Sequence, residues 1–341
     1  MPDPALRTRV VIVSPALADA NNGNWQTARR WQQMLAPHAV RIVREWPDAA
    51  ASRQDQVLLA LHARRSAASI SAWAAARGPA GLALVLTGTD LYRDIHSSEE
   101  ARQSLALAQR LVVLQELGPD ALPAPLRPKV RVIFQSTTER RALAKSPRFL
   151  RAVMVGHLRD EKSPQTLLAA ARLLEDQAGL FIDHIGDALD PALGDEARAT
   201  AAASPNYRWL GGQAHEATRR RIQRAHVLVH TSRMEGGAHV IMEAVRSGTP
   251  VIASNIAGNI GMLGNDYAGY FEWGDAAALA ALLQRCRHTP GPQGLLAQLG
   301  AQCARRAPLF EPAAERSALV DLVHDLLPAP ANKPSDLPGQ Y

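Results

Sequence analysis

The chain reads as an α/β protein of two doubly wound, Rossmann-like domains with an active-site cleft between them. Three observations carry that reading. Short continuous apolar runs alternate with amphipathic helical stretches, the pattern of parallel sheets buried on both faces. That rhythm runs to about residue 135, breaks over a polar, charged segment at 136–148, and then starts again. At 341 residues the chain is also long for one core and comfortable for two.

In the first half, apolar runs at 9–14, 40–44, 56–61, 82–87, 111–115 and 130–135 predict strands, with helical spacing clearest at 24–36 and 66–77. The second half repeats the scheme. Its strands are predicted at 152–156, 180–185, 207–210, 227–230, 250–253 and 269–272, and its helices at 164–175, 190–202, 216–225 and 238–247. The domains are then 1–140 and 149–311, followed by a helical stretch at 312–327 and a proline-rich, disordered tail at 328–341. Two such domains open a cleft between the carboxyl ends of their sheets, where ligands sit.

Composition narrows the class. Net charge is +6, from 38 basic and 32 acidic residues, and the arginines are dispersed without interleaved aromatics. That argues against a nucleic-acid interface and suits a small anionic substrate. Cys286 and Cys303 make no metal or redox spacing, so a reducing, cytoplasmic setting is expected. The first apolar run is too short for a signal peptide, and no eighteen consecutive apolar residues predict a membrane span.

The densest chemistry lies in E-G-G-A-H-V-I-M-E-A, residues 235–244. Gly236 and Gly237 cannot be good helix interior, so they predict a turn that opens a helix at about Ala238. Glu235 then precedes the helix beside free backbone N–H groups, which bind anions and hydroxyl-rich ligands, and Glu243 lies two turns inside. The competing reading is a capped surface helix with one solvated Glu. A second cluster, V-M-V-G-H-L-R-D-E-K-S-P, ends a strand at Gly156 and carries Arg159 and Lys162 into the turn before a helix. Two cations there can neutralise charge developing on a diphosphate, although solvated surface ion pairs would look similar. No two aspartates stand two apart, so no D-x-D is available to hold a divalent metal, and no metal or other cofactor is expected.

Weaker signals complete the cleft. Gly23 and Asn24 start a helix after the first strand, where amides can approach a phosphate. Asp187 and the loop containing Gly212 and Gln213 follow strands of the second half. L-T-G-T-D-L-Y places Thr87, Gly88, Thr89 and Asp90 at the end of the fourth strand, while Arg64 and Arg65 follow the third and offer countercharge to an anion. Solvated arginines opening a helix account for the last pair equally well.

The E-x7-E segment, together with strand–glycine–R-x-x-K–helix, resembles the donor signature of GT-B nucleotide-sugar glycosyltransferases. The resemblance implies that Arg159 and Lys162 grip the donor pyrophosphate and that Glu235, with Gly236, Gly237, Ala238 and His239, meets the sugar and phosphate. It gives the ribose to Glu243, the nucleobase to Gly212 and Gln213, and the opposite wall to Gly23 and Asn24. It also implies that the helix at 312–327 crosses back to brace the first domain. Many relatives read H-G-T-D where this chain has Thr87, a departure that removes a histidine from the acceptor side. An acceptor already anionic at pH 7 has little need of such a base. Over about residues 9–327 the chain is similar to the selenosugar synthases, a GT-B branch. That similarity implies a UDP-sugar donor (UDP-N-acetylglucosamine or UDP-glucose) and selenophosphate as acceptor. Asp90 and Thr89 would line the acceptor side. A thiol or sugar-hydroxyl acceptor, or a non-catalytic nucleotide-sugar-binding protein, stands as an alternative.

Overall fold

Strands β1 (Arg9–Val13) and β3 (Val57–Leu61) are made almost wholly of Val, Leu and Ile, and all but Arg9 are buried. Strands buried on both faces need helices above and below. The computed structural model, which describes residues 7–17, 23–48 and 50–328, supplies them in two layered α/β units.

In the first unit β2 (Ala39–Val43), β4 (Leu82–Val85), β5 (Arg110–Val113) and β6 (Val130–Val132) complete a six-stranded sheet of order β2-β1-β3-β4-β5-β6. Every pairing is parallel. Its helices are α1 (Gly23–Met34), α2 (Ala67–Arg77), α3 (Ile95–Ser97), reached through a π turn at Asp90–Asp94, and α4 (Glu99–Leu107). Ser98 caps α4 by accepting from the Ala101 amide.

The second sheet contains β7 (Leu150–Val155), β8 (Leu180–Ile185), β9 (Tyr207–Trp209), β10 (Val227–His230), β11 (Val251–Ser254) and β12 (Tyr270–Phe271). Its order is β12-β11-β10-β7-β8-β9, again all parallel. Between them run α5 (Pro164–Leu173), α6 (Pro191–Ala203), α7 (His215–Arg224), α8 (His239–Val245) and α9 (Ala257–Leu263), with α10 (Ala276–His288) and α11 (Leu295–Arg306) following. The two-unit α/β architecture read from the sequence is therefore present.

The charged segment at 136–148 is not a free tether. It lies against the second unit, with the Arg140 amide donating to Arg246 O at 2.9 Å and Arg219 Nη2 to Thr138 O at 2.8 Å. The last helix, α12 (Pro312–Leu326), returns to the first sheet. There Leu319, Leu322, Val323 and Leu326 join Val10, Ile12, Trp31 and Leu59 in one core cluster. Each such side chain contributes about 1.5–3 kcal/mol by leaving water. The expected tail beyond residue 328 lies outside the described residues. Among those described, no helix is long and apolar enough to cross a membrane.

Candidate active site

From central β7 the chain winds one way through β8 and β9, and from β10 the other way through β11 and β12. The carboxyl ends of β7 and β10 are therefore the point where the winding reverses, and a crevice opens there. After β7, Gly156 leads into a single 3-10 turn at Asp160–Lys162, and Ser163 takes a left-handed backbone (φ 48°) before Pro164 starts α5. Thr231 Oγ1, just past β10, donates to Lys162 O at 2.8 Å and fixes that turn. The two strand ends meet through side chains: Lys162 Nζ donates to Glu235 Oε1 at 2.6 Å.

Electrostatics at this pair are one-sided. Burial alone would raise the Glu235 pKa. The Lys162 ammonium, with His230 and the Ser232 hydroxyl, overrides it and brings the group down to about 2. His230 Nε2 lies 3.5 Å from the same carboxylate oxygen, and burial lowers its own pKa to about 4, so it is neutral at pH 7.

Arg159 differs from its neighbour. The sequence suggested two fixed cations in this turn, but Arg159 is exposed on the rim, with Nε 3.9 Å from Glu161 Oε2. Glu161 is shared with the first unit, since Arg93 Nη1 stands 3.3 Å away.

Helix α8 begins at His239, one residue later than expected, with Ala238 extended at its N-cap. Glu243 is buried in it, and Oε1 is held by His215 Nε2 at 2.7 Å, with Arg219 Nε at 3.9 Å. The carboxylate hydrogen bond raises the His215 pKa above its ordinary value. The glycine pair has a packing role independent of any ligand. A Cβ on Gly236 would fall 2.5 Å from Thr87 C and 2.6 Å from Gly88 N, across the cleft. One on Gly237 would fall 2.9 Å from Leu114 Cβ. Two backbones from different units touch here.

On the first-unit side the main correction concerns Asp90. Expected to line the acceptor surface, it is fully buried and turned into its own loop. Oδ1 accepts from the Thr87 and Gly88 amides at 2.8 and 2.9 Å, and Oδ2 from the Ala63 amide at 3.0 Å. It is a positioning residue for Thr87 and Gly88. Arg64 Nε stands 3.3 Å from Asp94 Oδ2, whereas Arg65 is exposed and only its amide turns inward, to His62 Nδ1 at 3.4 Å.

The sequence reading passed over His62, which sits after β3 with a left-handed backbone (φ 77°) and Nε2 3.3 Å from Thr89 Oγ1. A histidine at a strand's carboxyl end was the available signal. It also passed over Arg30. Gly23, exposed, and Asn24, half-buried, begin α1, but the helix reaches the second unit through Arg30 Nη1, 3.0 Å from His239 Nε2. The same guanidinium contacts the buried Glu315 of α12 at 3.0–3.1 Å. Burial, then Arg30, lowers the His239 pKa to about 3, so the ring accepts that bond while neutral.

Gly212 and Gln213 lie beyond β9, on the far side of the crevice from Glu235. The Gly212 amide donates to Asp187 Oδ1 at 2.9 Å, and Gln213 Nε2 to Leu210 O at 2.8 Å. A cavity of about 210 Å³ remains between the units, walled by Tyr92 on one side and by Arg233, Met234, Glu235, Ile256 and Gly258 on the other. Among the described residues no three His, Cys, Asp or Glu side chains gather as metal ligands.

Residues 135–300 match the family described as "Glycosyl transferases group 1". The match covers the second unit, which is thus similar to the group 1 glycosyltransferases. The matched span covers β7 to β12 and contains Lys162, Glu235 and Glu243, so the crevice belongs to the part shared with the family. The chain is also similar in fold to solved structures of low sequence identity. Sucrose-phosphate synthase from Thermosynechococcus elongatus superposes with a TM-score of 0.72 at 17% identity, covering 94% of this chain and 99% of that one. Anabaena HepE in complex with UDP-glucose gives 0.70 at 14% identity, covering 93% of this chain and 100% of the other. S. aureus TarM gives 0.61 at 12% identity, and there the match covers 78% of this chain but only 55% of the longer one. Both units thus share the GT-B arrangement of these enzymes.

Proposed function

We propose that the protein transfers a hexosyl group, N-acetylglucosaminyl or glucosyl, from a UDP-sugar to selenophosphate, giving a selenosugar of selenoneine biosynthesis. The observation that carries the donor half is the Lys162–Glu235 pair at the reversal of the second sheet. There Lys162 faces the diphosphate, Arg159 joins from the rim, and Glu235 takes sugar hydroxyls. Ala238 and His239 open the helix beneath them, Glu243 holds the ribose, and Gly212 with Gln213 flanks the base. Gly23 and Asn24 face the donor from the other wall. The UDP-glucose complex of HepE, similar in fold, is consistent with that assignment.

For the acceptor, the support is chemical. Thr87 stands where a basic side chain would serve a hydroxyl nucleophile, and Arg64 and Arg93 both stand at Asp94, at the end of the turn that follows that loop. A selenium lone pair forms the bond to the anomeric carbon. The carbon–oxygen bond to the diphosphate breaks, and its electron pair leaves with UDP. An anionic acceptor gives up no proton in that step. The immediate product is the Se-hexosyl selenophosphate, and water must then cleave its selenium–phosphorus bond, releasing phosphate, to give the free selenosugar. A sugar-hydroxyl or thiol acceptor is the competing reading, and His62 beside Thr89 is what favours it. Two buried free cysteines suit a reducing, cytoplasmic setting.

Product mass from purified protein with UDP-sugars and selenophosphate decides the matter. A hexosyl selenium compound with released UDP is expected; turnover only with hydroxyl or thiol acceptors overturns the acceptor, and no UDP release with any acceptor overturns catalysis. Two further results are expected. Glu243→Ala raises donor KM by about tenfold or more with kcat little changed, because ribose contacts are made equally in ground and transition states. An unchanged donor KM would remove Glu243 from the ribose. Because Lys162 supplies charge to the leaving group, turnover is expected to survive EDTA unchanged. Loss restored by Mg²⁺ would show that a metal does that work.

A further inference from the structure

Glu315 of α12 is buried and accepts from Trp31 Nε1 at 2.7 Å and from the Ser136 amide and hydroxyl at 2.7 and 2.6 Å. Arg30 completes the set by turning Nε and Nη2 onto the same carboxylate at 3.0–3.1 Å. Two parallel bonds of this kind fix a guanidinium in one orientation. The nitrogen left over, Nη1, reaches the second unit and stands 3.0 Å from His239 Nε2. Guanidinium nitrogens donate and never accept, so Nε2 must present its lone pair. The bond made by one ring nitrogen decides where the other keeps its proton, and the neutral ring therefore carries its hydrogen on Nδ1. That nitrogen has no hydrogen-bond partner among the described residues. The charges of Lys162, Glu235 and His215 all act on the ring, which places it among the groups assigned to the donor.

We propose that Arg30 is a positioning residue of the donor site: it holds His239 as the Nδ1–H tautomer, and that hydrogen is donated to an anionic oxygen of the donor's diphosphate. The inference rests on the UDP-sugar reading above and adds a first-unit residue that acts on donor recognition through another side chain. With the hydrogen on Nε2 instead, the ring would turn a lone pair toward that oxygen and repel it. Burial and then the Arg30 charge keep the ring from gaining a second proton, so the tautomer is the only variable left. A strut between α1 and α12 would need the Glu315 contacts alone; the bond to His239 serves no such purpose.

Calorimetric titration of UDP into the full chain tests the hydrogen bond. An asparagine amide nitrogen falls near the place of histidine Nδ1, and a glutamine amide nitrogen near that of Nε2. His239→Asn should therefore bind UDP within a few-fold of wild type. His239→Gln and His239→Ala should each bind about tenfold or more weakly, the worth of a hydrogen bond to a charged group. Equal binding by His239→Asn and His239→Gln, or no loss in His239→Ala, overturns the Nδ1 donor. Arg30→Met alone would strand a buried carboxylate, so it is combined with Glu315→Gln. That pair should lose about tenfold in UDP affinity in the wild-type background and nothing further when added to His239→Asn. Equal losses in both backgrounds mean a strut and overturn the role; if the pair does not fold, the comparison of His239→Asn with His239→Gln decides alone. Nitrogen-15 spectra of the imidazoles read the tautomer directly, with His239 assigned by its absence from His239→Asn. Nδ1–H is expected in the wild type, and Nε2–H or a mixture once Arg30 is gone. Nε2–H in the wild type, or Nδ1–H in both, overturns the proposal whether or not UDP binds. A wild type that binds no UDP defeats the donor reading itself, whereas normal UDP binding with the wrong tautomer defeats only this one.

Discussion

Lys162→Met is expected to lower kcat by about 10²–10³, the usual cost of losing one fixed group aimed at charge that develops in the transition state. Donor KM should change less, because that charge grows only as the bond to UDP breaks. The same variant reports on Glu235. In the wild type Lys162 holds that carboxylate near 2 against burial, which pushes the other way. A depressed acid contributes stability above its ordinary pKa of 4.5 and loses it as pH falls toward 2. Without Lys162, burial dominates and the sign reverses. Glu235 then titrates above its ordinary value, and its contribution is lost as pH rises through that raised pKa. Breaking a largely buried pair in this way costs about 3 kcal/mol at neutral pH. Thermal melts should show the gap between wild type and Lys162→Met widest near pH 7 and closing toward pH 3. A gap independent of pH would mean that the two side chains are not coupled.

The second large effect belongs to a methyl group. Gly236→Ala puts a Cβ 2.5 Å from the carbonyl carbon of Thr87, and the obstacle is backbone rather than the end of a flexible side chain. The neighbouring Gly88 has φ +136°, so the loop it meets is already in a conformation that L side chains rarely adopt. Neither core contains Gly236, so the melting temperature should hardly move. The two units, however, cannot close to their present distance. Misplacement by about 1 Å at a reacting centre costs about 10² in rate, and kcat/KM is expected to fall at least that far. UDP binding, assigned above mainly to groups of the second unit, should persist. Activity within a few-fold of wild type would show that turnover does not need this contact.

The parts of the site that could be read from sequence share one property. Lys162, Glu235 and Glu243 each sit in a local strand–loop–helix unit whose glycines, prolines and apolar runs give its shape away. Asp90 misled because a short carboxylate in a loop can turn on its own amides as readily as face outward. Arg30 was invisible for a different reason. Its partner His239 is 209 residues distant, and nothing near either residue records the meeting. Helix α9 was hidden by its own glycines, which look like a loop. A Cβ on Gly258 would fall 2.1 Å from Glu235 O, and one on Gly261 would fall 1.7 Å from Gln115 Oε1. Those glycines make room for the site at the expense of helix propensity.

The return of α12 has a consequence for how the protein is made. Most domains leave the ribosome in order and fold as they emerge. Here the strands of the first sheet are all made by residue 132, yet Leu319, Leu322, Val323 and Leu326 are part of its core. Until residue 326 has been translated, Val10, Ile12, Leu59 and Val85 lack that part of their cover, and the nascent chain carries an apolar strip through most of its synthesis. A fragment ending near residue 140 would keep that strip permanently. It should be recovered as aggregate or bound to chaperone, and supplying residues 312–328 as a separate peptide should bring it into solution.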